Sequence, residues 1–206
     1  MKQKKIIKTN LSLLKTENMD VPVEGISSML SHKFGNIAQK TMEDKQRKNT
    51  KPKTARISIE DEVENCIHRM PNGKVGFPAA GFYNGMREVA PYLEGMNKKL
   101  VSGAVRIMGD DGTSLVKIDY KDMVTQKDTV TLPTGSADIR YRPRFEGWKC
   151  KLHIMFDASQ ISPEQIVNLL NYAGFHRGIG DWRPGSPKKP GQYGMYKIPE
   201  TGRKKI

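Results

Sequence analysis

Charged and apolar residues alternate through residues 138–156, which read DIRYRPRFEGWKCKLHIMF. Successive side chains point to opposite faces of a β-strand, so the pattern predicts two strands joined by a tight turn at Glu146-Gly147. One predicted face is apolar and carries Ile139, Tyr141, Phe145, Trp148, Cys150, Leu152, Ile154 and Phe156. The other face is basic and carries Arg140, Arg142, Arg144, Lys149, Lys151 and His153.

The basic side chains would face one another across this predicted hairpin. The opposed pairs would be Arg144 with Lys149, Arg142 with Lys151, and Arg140 with His153. Like charges that lie directly opposite destabilise a sheet. The ladder therefore indicates a surface kept for an anionic partner, unless the arginines pair with Asp110, Asp111 or Asp119 of the preceding segment.

Three segments carry the signals of α-helices. Residues 58–70 begin with a capping serine, have an acidic residue three positions later and continue as an apolar stripe of helical spacing. Pro78 suits the first position of a helix from about Ala79 to Ala90. Ser162-Pro163-Glu164-Gln165 is a capping box that opens a third helix, which Gly174 is expected to end. Small residues in the second helix predict that another element packs close to it: Ala79, Ala80, Gly81 and Gly85.

Further strands are predicted over residues 4–14, 100–108 and 193–198. The resulting order is strand, helices, strand, strand, helix, glycine-rich loop and strand. This βαββαβ order predicts an α+β protein with a ferredoxin-like (RRM-like) core. We expect a single domain over residues 1–200, followed by a basic tail at 201–206.

Three polar stretches are expected to lie outside this core. Residues 20–35 contain one proline and two glycines and are interpreted as a loop or a broken helix. Residues 45–56 contain six basic residues and no acid, and they form either a binding arm or a solvated linker. Residues 109–136 are polar and rich in turn residues, which predicts an inserted hairpin or flexible loop.

Composition also favours an anionic partner. The 206 residues carry a net charge of +13 with 36% hydrophobic residues, a balance typical of proteins that bind nucleic acid or acidic surfaces. Cys66 and Cys150 lack metal-ligand spacing and are expected to be buried thiols in a reducing cytoplasm. No apolar run reaches membrane-spanning length, and the first residues lack the features of a signal peptide. We expect a cytoplasmic protein with no membrane partner.

A glycine-rich loop follows the third helix, with six glycines between residues 174 and 194. Glycines allow backbone amides to approach a phosphate closely. Charge is added by Arg177, Arg183, Lys188 and Lys189. Trp182 would stack on bases, or it packs into the core of a structural loop. The motif Gly178-Ile179-Gly180 follows a helix and precedes a strand, which is the reverse of the dinucleotide-binding order.

Residues suited to catalysis are few. The histidines are His32, His68, His153 and His176, and no two have zinc-binding spacing. Asp20 and Glu24 form either a carboxylate pair or part of a solvated loop. The sequence predicts no metal, no cofactor and no catalysis. The alternative is a metal-independent ribonuclease in which His176, His153 or His32 acts as the base.

Two segments together resemble one protein family. Residues 76–90, GFPAAGFYNGMREVA, resemble the helix motif of the RAMP superfamily, in which a proline and small residues precede an aromatic residue and an arginine. GFHRGIGDWRPG and GQYGMYKI, within residues 174–198, resemble its C-terminal glycine-rich loop and closing strand. RAMP proteins are ferredoxin-like RNA-binding subunits of CRISPR effector complexes, and their backbone subunits polymerise along guide RNA. Small stand-alone bacteriophage proteins share these motifs, which implies the cytoplasm of a bacterial host cell.

The resemblance implies a mode of RNA binding. Phe77-Pro78 and the helix through Arg87 would line the RNA, and the glycine loop would contact its backbone. Residues 109–136 or 45–56 would pack on a neighbouring subunit. Asp20 is the nearest candidate for the acidic residue that cleaving backbone subunits carry after their first strand.

We therefore predict a non-catalytic protein that binds single-stranded nucleic acid, RNA in preference to DNA, and self-assembles along it as a homo-oligomer. Binding is expected to use the phosphate backbone, largely independently of sequence. The alternatives are a guide-processing ribonuclease of the same superfamily and an interfering mimic that binds CRISPR-type subunits. The predicted contact residues are Arg87, Arg140, Arg142, Arg144, Lys149, Lys151, Arg177, Gly178, Gly180, Trp182, Arg183, Lys188 and Lys189.

Overall fold

The computed structural model describes residues 14–33, 58–131, 135, 137–187 and 189–200. These residues form ten β-strands and four α-helices. The strands are β1 Thr16–Gly25, β2 Met29–Leu30, β3 His68–Arg69, β4 Val75–Pro78, β5 Val105–Met108, β6 Leu115–Lys117, β7 Asp122–Thr131, β8 Ala137–Glu146, β9 Lys149–Asp157 and β10 Tyr196–Lys197. The helices are α1 Ile59–Asn65, α2 Ala79–Val89, α3 Lys98–Ala104 and α4 Pro163–His176.

The largest sheet has four antiparallel strands in the order β10-β1-β9-β5. β1 and β9 form its centre and pair from Thr16↔Asp157 to Glu24↔Lys149. In the chain, α2 and α3 lie between β1 and β5, and α4 lies between β9 and β10. The protein is therefore of mixed α and β structure, and an α+β class describes it.

Apolar side chains from the central strands and two helices form the core. Val21, Leu152 and Ile154 are buried in the sheet, and Phe82 of α2 and Leu169 of α4 are buried in the same cluster. The two helices approach each other closely, because a Cβ atom at Gly85 would lie only 3.4 Å from Cβ of Ala173. The small residues of α2 thus mark a close contact, as predicted.

Two smaller antiparallel sheets flank this arrangement, in the orders β2-β8-β7 and β3-β4-β6. β7 and β8 pair along their whole length, from Asp122↔Glu146 to Thr131↔Ala137. Residues 109–136, predicted as an inserted hairpin or flexible loop, contain β6 and β7, and β7 has its partner β8 outside that range.

The prediction of a loop or broken helix over residues 20–35 is wrong. Residues 20–25 belong to β1, and Met29–Leu30 form β2. Pro22 suggested a loop, because proline cannot donate a hydrogen bond to a neighbouring strand. β10 pairs only with Glu24 and Gly25, so among the described residues β1 has no strand partner on that side at Pro22.

The predicted hairpin between the strands of residues 138–156 is also wrong. Both strands exist, but β8 pairs with β7 and β2, whereas β9 pairs with β1 and β5. Arg144 is therefore not opposite Lys149. The physical reason is the repulsion that a like-charge ladder would carry, since each strand has instead a neighbour that supplies carboxylates.

Several predicted element boundaries also shift. α1 has the predicted Ser58 cap, with the Asp61 amide donating to Ser58 Oγ at 3.1 Å, but the helix ends at Asn65. Residues 100–104 are helical, and only the second half of the predicted strand at 100–108 is extended. The capping box of α4 is confirmed. The predicted closing strand at 193–198 is reduced to Tyr196–Lys197.

Gly174 was predicted to end α4, but it lies inside the helix. A Cβ atom there would lie 2.0 Å from the carbonyl oxygen of Tyr196. The glycine thus permits the contact between α4 and β10. The predicted strand at 4–14, except for Leu14, lies outside the described residues, as do the arm at 45–56 and the tail at 201–206.

Candidate nucleic-acid interface

The arginines of β8 are engaged in ion pairs. Arg142 is 1% exposed, and its guanidinium donates to the carboxylates of Asp128 on β7 and Asp181 in the glycine-rich loop. The ring of Trp182 covers it, with the guanidinium carbon 4.5 Å from the ring centroid. The prediction that Arg142 is displayed on an open basic face is therefore wrong, because burial of its charge requires carboxylate partners.

The two neighbouring arginines are more exposed but also have partners. Arg144 donates to Glu146 Oε1 and to Gln126 Oε1, both at 2.7 Å. Arg140 Nε lies 3.9 Å from Asp138 Oδ2. The β8 arginines therefore do pair with carboxylates. Their partners are not Asp110, Asp111 or Asp119, which the sequence suggested.

The basic residues of β9 form a separate group. Lys149 is exposed, and Lys151 Nζ lies 3.4 Å from Asp20 Oδ2 on β1. His153 lies between two carboxylates, with Nδ1 at 2.5 Å from Asp20 Oδ1 and Nε2 at 3.4 Å from Asp110 Oδ1. The hydrogen bond from His153 lowers the pKa of Asp20. Asp20 therefore lies within β1 as a partner of cations, not beside Glu24 in a loop as a carboxylate pair.

A groove forms where α2 meets the glycine-rich loop, and it encloses about 250 Å³. We call it the α2 groove. On the α2 side the lining residues follow helical spacing, and on the other side they come from the loop after α4. Its lining residues are Phe77, Pro78, Gly81, Asn84, Gly85, Glu88, Arg177, Gly178, Ile179, Gly180 and Arg183. The groove therefore brings together the two segments that carried the family resemblance.

The wall formed by α2 follows from the local sequence. Pro78 is the N-cap residue of α2, and no side chain caps the helix there. A Cβ atom at Gly81 would lie 2.5 Å from the ring of Phe77, so the glycine allows that ring to lie against the first turn.

The opposite wall depends on glycines with left-handed backbone. Gly178 and Gly180 have φ values of 58° and 79°. A Cβ atom at Gly180 would lie 2.5 Å from the carbonyl oxygen of Leu30. The sequence therefore needs glycine at this position both for conformation and for space.

A second cavity of about 450 Å³ adjoins the α2 groove. We call it the histidine cavity. Its lining residues are His32, His68, Phe77, Arg140, Gly180, Asp181 and Arg183. Phe77, Gly180 and Arg183 line both spaces, so the groove and the cavity are neighbours.

The electrostatics of this surface are dominated by two loop arginines. Arg177 and Arg183 make no salt bridge within the described part of the chain. Burial and the charge of Arg177 lower the pKa of Arg183, and the charge of Asp181 opposes this shift. Arg183 Nη1 donates to the carbonyl oxygen of Gly180 at 2.9 Å.

The histidine cavity has a mixed character. His32 Nδ1 lies 3.5 Å from Asp181 Oδ2. Burial raises the pKa of Asp181, but the hydrogen bond with His32 and the charge of Arg142 outweigh it, and the pKa falls to about 2. Burial, together with the charge of Lys33, lowers the pKa of His68.

The remaining predicted contact residues are dispersed. Trp182 is half-buried over Arg142, so it joins the ion-pair network instead of either cavity. Arg87 is half-buried, and its Nε atom has no hydrogen-bond partner among the described residues. Lys189 is exposed, and Lys188 lies outside the described ranges. Of the predicted residues, those that line the groove or the cavity are Arg140, Arg177, Gly178, Gly180 and Arg183.

Sequence reasoning missed His68, Asn84, Glu88 and Asp181 at this surface. The spacing of Gly81, Gly85 and Glu88 repeats at helical intervals, and that signal was available. His68 carries no comparable signal, because β3 is a two-residue strand.

Metal-ligand clusters and membrane-spanning helices are both absent from the described residues. They contain no group of three or more His, Cys, Asp and Glu side chains placed to hold a metal ion. Within the same ranges, no helix combines the length and apolar character needed to cross a bilayer. A comparison with known protein-family models gives no match, and neither does a search of curated proteins.

Proposed function

We propose that the protein binds single-stranded nucleic acid, RNA in preference to DNA, along the α2 groove and the histidine cavity. The observation that carries this proposal is the pair Arg177 and Arg183. Both line the groove beside Gly178 and Gly180. Neither forms a salt bridge within the described residues, and the one carboxylate that lines the groove, Glu88, pairs with Lys98. A concave surface with unpaired guanidinium groups is suited to phosphate.

The proposal includes a ferredoxin-like core of the RAMP type. The sheet order β10-β1-β9-β5 supports it, as do the helices between β1 and β5 and between β9 and β10. Such a fold hosts many functions, so the groove and not the fold carries the functional argument. The preference for RNA rests on the resemblance of residues 76–90 and 174–198 to RAMP proteins.

Binding is proposed to follow the backbone of the strand and to be largely independent of its sequence. Arginine keeps its charge when it is partly desolvated, and its fork matches two phosphate oxygens. Arg140 extends the cationic lining into the histidine cavity. Contacts of this kind release counterions, so the affinity is expected to fall as salt rises.

Self-assembly along the strand is the second part of the proposal. β7 is an edge strand of ten residues, and within the described residues it pairs only with β8. An unpaired edge offers a row of backbone donors and acceptors to another chain. Sedimentation of the protein with strands of increasing length tests this part, since the number of bound copies should rise with length.

A salt titration of binding tests the main proposal. Fluorescence anisotropy of a labelled 20-nucleotide RNA without secondary structure would be measured with the wild type, with R177Q/R183Q and with K99Q/K197Q. The last variant removes the same charge from exposed positions outside the groove. The slope of log affinity against log salt should fall by about 1.4 in R177Q/R183Q, because each lost phosphate contact on a single strand contributes about 0.7.

Two results would contradict the proposal. One is an affinity of the wild type that does not respond to salt. The other is an equal effect of R177Q/R183Q and K99Q/K197Q, which would mean that net charge and not the groove determines binding.

A second candidate function is metal-independent cleavage of RNA, and one observation favours it. His32 and His68 line the same cavity as Arg140 and Arg183, so two potential proton carriers lie beside the proposed path of the strand. General acid–base catalysis of attack by a ribose 2′-hydroxyl requires such groups. The test is incubation of RNA and DNA strands with EDTA, using the wild type, H32A and H68A. If the wild type cleaves RNA but not DNA, and H32A or H68A abolishes the cleavage, the protein is an enzyme of this kind. If the RNA stays intact, this candidate is excluded.

A further inference from the structure

An exposed aromatic cluster lies at the end of α4 and beside the turn after α2. Its members are Tyr92, Tyr172, Phe175 and His176. Tyr92 is 59% exposed and Phe175 is 64% exposed. Of these four side chains, the sequence had singled out only His176 for a role of its own, as one candidate for a catalytic base.

The cluster is organised around one ring. The ring centroid of His176 lies 5.4 Å from that of Tyr92, 5.7 Å from that of Tyr172 and 5.2 Å from that of Phe175. The Tyr92 and Phe175 rings stand nearly perpendicular to the imidazole, with interplanar angles of 76° and 88°. Their outer faces therefore remain open to solvent.

The cluster does not belong to the hydrophobic core. The buried face of α4 consists of Ile166, Leu169, Leu170, Ala173 and Gly174. Tyr172, Phe175 and His176 are exposed. Large rings left in water beside one another are typical of a surface that binds a partner.

The cluster adjoins the α2 groove in the chain. Arg177, which lines the groove, directly follows His176, and Glu88, which also lines it, precedes Tyr92 by about one helical turn. A strand whose phosphates contact Arg177 would thus pass the aromatic cluster with its next nucleotides.

We propose that this cluster is a stacking site for unpaired nucleobases, with Phe175 and Tyr92 as the principal rings. The proposal rests on the proposed function and adds to it the groups that recognise bases. Every base has a π-face, so stacking on aromatic rings is tolerant of sequence. Bases in a duplex are already stacked and paired, so a site of this kind selects single strands.

The positive charge near the cluster favours nucleobases over a second protein chain as its ligand. The cluster directly precedes Arg177 in the chain, and Arg177 lines the groove with Arg183. Neither arginine forms a salt bridge among the described residues. A strand of nucleic acid satisfies both features with one molecule, since it presents a phosphate and a base at each step. A second copy of this basic chain would bring further positive charge to the same place.

The test compares two single strands of equal length and charge. One is a 12-nucleotide oligouridylate, and the other is a ribose-phosphate strand of the same length that lacks all bases. Affinities are measured by fluorescence anisotropy for the wild type, F175A, F175L and F175W. F175L keeps apolar bulk without a ring, and F175W restores a ring.

We expect F175A and F175L to weaken binding of the oligouridylate by about fivefold to 150-fold, the range for loss of one stacked base. Both variants should bind the abasic strand as the wild type does, and F175W should bind both strands like the wild type. Y92L should show a loss of the same kind. Phe175 is mostly exposed, so these variants are expected to fold.

Three outcomes would overturn the stacking site. In one, F175A binds oligouridylate like the wild type. In another, F175L retains the full affinity, which would show that apolar contact suffices. In the third, F175A leaves both affinities unchanged but abolishes self-association of the free protein, which would show that a second copy covers the cluster. The proposed function is judged separately. If R177Q/R183Q weakens binding of the abasic strand, the proposed function stands in each of these outcomes.

Discussion

The arginines of β8 and those of the glycine-rich loop have the same side chain but opposite environments. Arg142 and Arg144 are bound by carboxylates of the same chain, whereas Arg177 and Arg183 line the α2 groove and form no salt bridge among the described residues. A row of cations in a strand therefore need not form a binding surface. We propose that a cation is available for binding when no internal anion pairs with it, and such pairing can be judged only in three dimensions.

The largest expected effect concerns the stability of the β8 network. R142A should lower the free energy of unfolding by about 3–5 kcal/mol, because it leaves Asp128 and Asp181 without their partner in a buried setting. Urea denaturation measures this loss. A decrease below about 1 kcal/mol would mean that the network is not structural, and the contrast with the loop arginines would disappear.

The next effect concerns binding instead of folding. R177Q/R183Q should weaken the affinity for single-stranded RNA by about 5- to 150-fold, because two hydrogen bonds to phosphate of about 0.5–1.5 kcal/mol each are lost. Its free energy of unfolding should stay close to that of the wild type, since neither guanidinium has an ion pair in the described structure. Anisotropy and urea denaturation measure the two quantities. A large loss of stability with unchanged affinity would reverse the comparison.

A smaller effect should appear in the pH dependence of stability through Asp181. Its folded-state pKa of about 2 lies below the ordinary value of 3.8, so its stabilising effect is present above pH 3.8 and is lost as the pH falls toward 2. With allowance for its partial exposure, the effect is about 1–2 kcal/mol.

The variant D181N should remove this dependence. The difference in unfolding free energy between the wild type and D181N should shrink between pH 4 and pH 2, which urea denaturation across that range measures. A difference that stays constant with pH would show that the network does not depend on the charge of Asp181.

The smallest effect is expected for R144Q. The Arg144 side chain is 31% exposed and pairs with an accessible Glu146, so its loss should change stability by less than about 1 kcal/mol. Affinity for RNA should stay within about twofold of the wild type. A clear loss of binding in the same anisotropy assay would place Arg144 in the nucleic-acid interface and remove the distinction between the two groups.

Local signals in the sequence predicted helices better than strand partners. The Ser58 and Ser162 caps and Pro78 gave the starts of three helices correctly, because capping depends on residues within one turn. The alternation in residues 138–156 likewise gave β8 and β9. It did not give their partners, because pairing with β7 and β1 depends on residues far away in the chain.

The sequence predicted part of the candidate site, namely the part that local motifs mark. The glycine loop and the Pro78 helix were singled out separately from their motifs, and the α2 groove joins them. The position of Arg142 was not predictable from its strand alone, because Asp128 and Asp181 come from β7 and from the loop after α4. The His32–His68 pair likewise depends on tertiary packing.

The fit of Gly174 against the carbonyl of Tyr196 has a consequence for the order of folding. Tyr196 is 1% exposed and contacts the rings of Phe82 and Trp148, while β10 pairs with β1 from the beginning of the described chain. The central sheet is therefore completed by the segment that leaves the ribosome last among those that form it. Contacts between such distant segments carry the largest loop-closure entropy and form slowly. During synthesis, the edge of β1 at Glu24 and Gly25 therefore stays unpaired by β10 until Tyr196 has been synthesised.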